Sequence, residues 1–155
     1  ESGAVHAADS YSRILKKGAV MLSTTPGHAN ALPALANAIN SEAPVIYIAG
    51  SAESSNLGRG AMQELAHIKT AKPLTMGAWE VPSPSRIPEY VALAFRTALS
   101  GRQGPVHLTI PHDFQMAEID DTEVARYTPS EYGLSSLVLG DPDQVAKAID
   151  LPSTV

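Results

Sequence analysis

Cysteine is absent from the sequence, which excludes disulfides and thiolate metal sites and fits a reducing compartment such as the cytoplasm. Long apolar runs are missing as well. Nothing approaches the roughly 20 residues that span a bilayer, and no signal-peptide pattern opens the chain, so no membrane partner is expected. Positive charge is in deficit, with 11 basic against 16 acidic residues. Such a surface does not gather phosphates along a groove, and nucleic acid is not an expected partner. Catalytic signatures of the common kinds are also lacking. There is no GxSxG elbow, and the five histidines (His6, His28, His67, His107, His112) show no HExxH or other metal-ligand spacing. Gly58-Arg59-Gly60 begins like a dinucleotide fingerprint, but Gln63 stands where the third glycine belongs, and a polar loop separates it from the preceding strand.

What is present is the composition of an ordinary globular domain, 44% hydrophobic over 155 residues, enough for a single buried core. The chain opens at Glu1 rather than methionine, directly in a helical pattern, and reads as a piece of something longer. Ala4, Val5, Ala8, Tyr11 and Leu15 recur at spacings of three and four, predicting an amphipathic helix that Gly18 closes. An apolar strand, Ala19 to Ser23, follows. Thr25-Pro26-Gly27 then predicts a tight turn, and a helix runs from about Asn30 to Ile39, with Pro33 in its first turn. A strand end followed by a helix start is where ligands collect in open α/β sheets, because the helix begins with unpaired backbone donors.

Pro44 to Ala49 is a continuous β-branched run, expected as a strand buried on both faces. A polar loop from Ser51 to Gly60 and a short helical or irregular stretch from Ala61 to Thr70 come next. Pro73 to Val81, holding the single tryptophan Trp79, is a further candidate strand, Ser85 to Ser100 a clear helix and Val106 to Ile110 the last strand. His107 alternates with Val106 and Leu108 and so faces one side of its strand. The alternation of helix and strand predicts an α/β fold: a doubly wound, mainly parallel sheet with helices on both faces. Residues 117–140 are polar and rich in turn residues, a linker by composition. Asp141-Pro142 then caps a helix from Val145 to Leu151.

The order of these segments resembles the N-terminal, pyrimidine-binding domain of thiamine-diphosphate-dependent enzymes, on the branch of acetolactate synthase, benzaldehyde lyase, 2-hydroxyacyl-CoA lyase and oxalyl-CoA decarboxylase. The resemblance covers roughly Glu1 to Gln115. It is carried by Glu1 with Ala8-Asp9-Ser10-Tyr11-Ser12-Arg13, by Thr25-Pro26-Gly27-His28-Ala29-Asn30 and its alanine-rich helix, by Met62-Gln63-Glu64, and by Gly104 to Gln115. Ser10 stands where the family has glycine, and Ala66 and His67 stand where acidic and amide residues commonly follow.

The resemblance implies that Glu1 is the catalytic glutamate, its carboxyl hydrogen-bonded to a ring nitrogen of the aminopyrimidine and promoting loss of the thiazolium proton. It implies that Pro26 and Gly27 hold the pyrimidine, that Asn30 braces the turn, that Gln63 reaches toward cofactor or substrate, and that His28 lies on the substrate side. Thiamine diphosphate is the implied cofactor. Mg2+ would be held by ligands on a diphosphate-binding domain, since the GDG-to-asparagine motif is absent here, and FAD is left open. That domain, in the same enzyme or a second subunit, is an implied partner, with homo-oligomer formation and a small-molecule substrate.

By the same resemblance residues 1–116 are the pyrimidine-binding domain without its first strands, 117–140 a linker, and 141–155 the start of a central domain. The implied activity is a carboligase, lyase or decarboxylase acting on 2-oxo or 2-hydroxy acid derivatives, with a non-catalytic dimerisation module as the alternative.

Overall fold

The computed structural model describes residues 1–127 and 140–149. Four parallel strands, β1 (Ala19–Ser23), β2 (Val45–Ser51), β3 (Gly77–Glu80) and β4 (Val106–Pro111), form one sheet in the order β1-β2-β4-β3. Helices α1 (Ser2–Leu15) and α2 (Thr25–Asn40) cover one face, and α4 (Ile87–Leu99) covers the centre of the other. The short α3 (His67–Ala71) and α5 (His112–Gln115) close the strand ends, and α6 (Pro142–Ile149) follows the core, with Asp141 accepting from the backbone N–H of Asp143. The parallel α/β sheet with helices on both faces is the predicted one.

Alternation along the strands divides the core. Met21, Val45, Tyr47 and Ala49 point to α1 and α2, where Ala31, Ala34, Leu35 and Ala38 are wholly buried. Ile46, Val106 and Leu108 point to Ala94 and Ala98 of α4, with Trp79 and Phe95 at the margin. The register pairs Tyr47 with His107 and Ala49 with Thr109, so two polar residues of β4 lie on the α1–α2 side. The alanines of α2 are thus spent within the chain, where their small side chains let α1 and the sheet approach.

A second lock joins the two helices. Asp9, 1% exposed, accepts from Arg13 Nε at 2.8 Å, Asn37 Nδ2 at 2.8 Å and Ser41 Oγ at 3.2 Å. Because α4 stops short of the edge strand, Val20 and Leu22 of β1 remain 46% and 69% exposed. A groove of about 570 Å3 runs between β1 and α1, lined by Ala4, Ala7, Tyr11, Gly18 and Val20.

Three local expectations are corrected. Helix α1 ends with Lys16 in the left-handed conformation, φ 53°, and not at Gly18. Gly18 answers a different need, since a Cβ there would meet Ile46 Cδ1 at 3.0 Å and Phe95 Cε1 at 3.3 Å. Pro26-Gly27 is not a tight turn before the helix. It is the first turn of α2, which begins at Thr25 with the His28 N–H bonded to the Thr24 carbonyl at 2.8 Å. Proline needs no donor there, and glycine follows helical geometry when packing demands a missing Cβ. Pro33 consequently lies inside α2. It has no N–H to give the carbonyl of Ala29, a break that helices tolerate only when packing holds both sides.

Of the expected linker, 117–127 contains one 3-10 turn at Asp121–Glu123, and 128–139 lie outside the described residues. The end of the expected central-domain start, 150–155, lies outside them too.

Candidate active site at the strand ends

The carboxyl ends of β1, β2 and β4 border a cleft of about 370 Å3, lined by Leu22, Ser23, Thr24, Ile48, Ile110 and Gln115. Gln115 is fixed there by donating from Nε2 to the Ile110 carbonyl at 2.8 Å, and a Cβ on Gly50 would stand 2.9 Å from that nitrogen. The glycine in β2 therefore lets a side chain of α5 cross the strand end.

Beside the cleft the first turn of α2 meets the start of α1. A Cβ on Gly27 would lie 2.5 Å from Glu1 Cγ and 2.8 Å from Ser23 Cβ, so the bare backbone of Gly27 is a seat for the Glu1 side chain. Asn30 Nδ2 donates to Glu1 Oε2 at 3.3 Å, which orients the carboxylate while leaving Glu1 open to solvent. Pro26, exposed, flanks the same turn. Ser23 Oγ shares a very short hydrogen bond with Tyr47 Oη. Burial pushes the Tyr47 phenol up, the Ser23 bond opposes this, and the charge of Glu1 adds to the rise.

Gln63 reaches this corner through the backbone. Its carbonyl accepts a short hydrogen bond from Thr25 Oγ1, and its φ of 67° is left-handed. The loop carrying it is closed by Glu64, whose carboxylate accepts from the N–H of Gly58 at 2.6 Å and of Ala61 at 3.0 Å. These bonds hold the Glu64 carboxyl below its usual range. Gly58 and Gly60, with φ of 80° and 67°, supply the turns that Glu64 needs. The Gly-Arg-Gly segment is thus a loop closure and not a phosphate cradle.

His28, expected on the substrate side, is wholly buried on the face of α2 turned toward the sheet. Its ring centroid lies 5.6 Å from Tyr47, 4.4 Å from His67 and 4.8 Å from His107. Burial first, and His67 second, lower its pKa to about 4. Burial also lowers those of His67 and His107. The cluster was not foreseeable from spacing, since its members stand on α2, α3 and β4. Only the strand alternation at His107 signalled an inward histidine. Among the described residues no group of three or more His, Cys, Asp or Glu side chains could hold a metal ion, and no helix is long and apolar enough to cross a membrane.

A carboxylate seated on a bare backbone turn and braced by an amide can exchange a hydrogen bond with a neutral polar group and repels an anion. The family described as thiamine pyrophosphate enzyme, N-terminal TPP binding domain, matches residues 1–70. Those residues contain Glu1, Pro26, Gly27, Asn30 and Gln63. Over these residues the chain belongs to that family of thiamine pyrophosphate enzymes.

Acetolactate synthases are among its relatives in that class. It is 38% identical to an acetolactate synthase of Arthrospira platensis, over 99% of this chain and 27% of that protein. It is 34% identical to a probable acetolactate synthase large subunit of Methanocaldococcus jannaschii, over 97% of this chain and 26% of that protein. Benzoylformate decarboxylase from Polynucleobacter necessarius has the same fold, with a TM-score of 0.79 and 29% identity over 93% of this chain and 26% of that one. The chain spans about a quarter of the length of these relatives.

Proposed function

We propose that this chain supplies the aminopyrimidine-binding half of the active site in an acetolactate synthase-like enzyme, a carboligase, lyase or decarboxylase acting on 2-oxo or 2-hydroxy acid derivatives. The observation that carries the reading is the Glu1 carboxylate seated on Gly27 and held by Asn30. Glu1 holds and returns a proton at a ring nitrogen of the heterocycle, Pro26 and Gly27 offer it a flat backbone surface, and Gln63 approaches from the facing loop. Thiamine diphosphate, when bound, supplies the carbon nucleophile and electron sink of the reaction.

Closure of the site by another domain would take Glu1 out of water and strengthen its hydrogen bond to the ring nitrogen. The diphosphate and Mg2+ belong to that other domain, from the same polypeptide or a second subunit, and a homo-oligomer in the cytoplasm is the setting that fits. His28, wholly buried, has a structural role in this reading and not one against substrate.

The test is Glu1→Gln in the full-length enzyme. Losing a positioned acid–base group should lower turnover by roughly a hundredfold or more. Unchanged turnover would remove Glu1 from the mechanism. The exposed Val20 and Leu22 favour a second reading, a non-catalytic module kept for subunit contacts. That reading is supported if a folded Glu1→Gln protein retains assembly and the parent binds no thiamine diphosphate in calorimetric titration with magnesium.

A further inference from the structure

Gln63 holds a backbone conformation that side-chain-bearing residues seldom adopt, φ 67°, so something outside the loop has to fix it. Donor counting identifies what does. The Thr25 hydroxyl owns one hydrogen, and the carbonyl of Gln63 can only accept it. The 2.9 Å contact between Thr25 Oγ1 and His67 Nε2 must then be donated by the histidine.

A neutral His67 protonated at Nε2 keeps a lone pair at Nδ1, which accepts from Thr109 Oγ1 at 3.4 Å. With that hydrogen used, Thr109 accepts from His107 Nε2–H at 2.8 Å. One donor direction therefore runs His107, Thr109, His67, Thr25, Gln63. A side branch obeys the same count: Thr70 Oγ1 donates to the His67 carbonyl at 2.9 Å and accepts from His28 Nε2–H at 2.8 Å. Among the described residues two buried side-chain atoms have no hydrogen-bond partner, His28 Nδ1 and His107 Nδ1, and in this arrangement they are the unprotonated nitrogens at the two ends of the network.

We propose that His67 is a positioning residue for the active site: as a neutral Nε2–H imidazole it aims the Thr25 hydroxyl at the Gln63 carbonyl and so fixes the left-handed turn that presents Gln63. The proposal rests on the reading of Gln63 as a cofactor- or substrate-facing residue. His67 is buried, and its effect passes through Thr25. The sequence hides this because His67 and Thr25 are 42 positions apart.

Two measurements on the full-length enzyme test it. In 15N-histidine NMR at pH 7, His67 should be neutral with its proton on Nε2, and a proton on Nδ1 or a charged ring overturns the assignment. In kinetics, His67→Leu should lower kcat/KM about tenfold, the scale of one lost hydrogen bond. His67→Gln, whose amide N–H can reach the place of Nε2–H, should recover most of that loss. Activity of His67→Leu equal to the parent, or no difference between the leucine and glutamine variants, overturns the positioning role. Gln63→Ala separates the two ideas. If it leaves kcat/KM unchanged while the Nε2–H tautomer is found, the reading of Gln63 has failed and the hydrogen-bond direction stands.

Discussion

Glu1 and Gly27 occupy space that only a glycine permits them to share: a Cβ on residue 27 would approach Glu1 Cγ to 2.5 Å. The neighbouring Ser23 Cβ, 2.8 Å away, belongs to the end of β1 and cannot swing aside. Gly27→Ala should therefore displace the Glu1 carboxylate from Asn30 and push the first turn of α2 away from the end of β1, while alanine keeps that turn helical. The expected outcome in the full-length enzyme is at least a tenfold loss of kcat/KM, on the scale of one misplaced catalytic group, with the far-ultraviolet dichroism of the parent. Parental activity in Gly27→Ala would show that the carboxylate need not rest on this turn.

Asp9 carries the joint between α1 and α2. Asp9→Ala removes the acceptor for Arg13, Asn37 and Ser41 together. Arg13 is half exposed and finds water, so the cost comes mainly from the two neutral donors and the lost charge-assisted bonds, about 2–3 kcal/mol. Urea unfolding of the parent and variant measures it. A shift within about 0.5 kcal/mol, the usual effect of an ordinary surface change, would mean the joint is held by the alanine packing alone.

The buried histidines set an acid limit. In the folded protein the pKa values of His28, His67 and His107 lie below the ordinary histidine value, His28 at about 4. The unfolded chain therefore binds protons more readily, and the stability these groups contribute is complete above about pH 6.5 and lost progressively as pH falls toward the folded values. Urea midpoints measured from pH 7.5 down to 4.5 should decline, most steeply below pH 6. A flat profile across that window would show that the cluster accepts a proton without cost.

The bare edge of the sheet has its own signature. Val20 and Leu22 project from an edge strand with an unpaired row of backbone groups, the arrangement that promotes edge-to-edge association. The isolated chain should sediment as a concentration-dependent mixture of species, and Leu22→Lys should shift it toward monomer. Identical sedimentation of parent and variant would place association elsewhere.

Much of the fold is legible in the sequence alone. The runs at Pro44 and Val106 are rich in apolar and β-branched residues and form buried strands, and Ile87 to Leu99 carries a helical stripe that nothing interrupts. Expectation and structure part where a residue's local preference is overruled by what lies across from it. Pro26-Gly27 reads as a turn on its own, yet the Glu1 side chain makes glycine necessary inside a helix. Gly18 reads as a cap, yet Ile46 and Phe95 need the space and Lys16 takes the strained conformation. His28 follows the turn and the resemblance puts it on the substrate side, but the helix that starts at Thr25 turns it toward Tyr47. The histidine cluster and the Thr25–Gln63 bond join positions dozens of residues apart, and neither periodicity nor a motif within one segment reports such a meeting.

Pro33 divides α2 into two parts with different bonds to the rest of the molecule. After it, Asn37 and Ser41 are tied to Asp9. Before it, the turn that bears Gly27 and Asn30 lacks the rung that would have joined Ala29 to residue 33. Amide hydrogen exchange should see this as two protection classes within a single helix, with the first turns opening at lower free energy than the last. The first turns of α2 can thus yield slightly while the half of the helix that anchors the core stays closed.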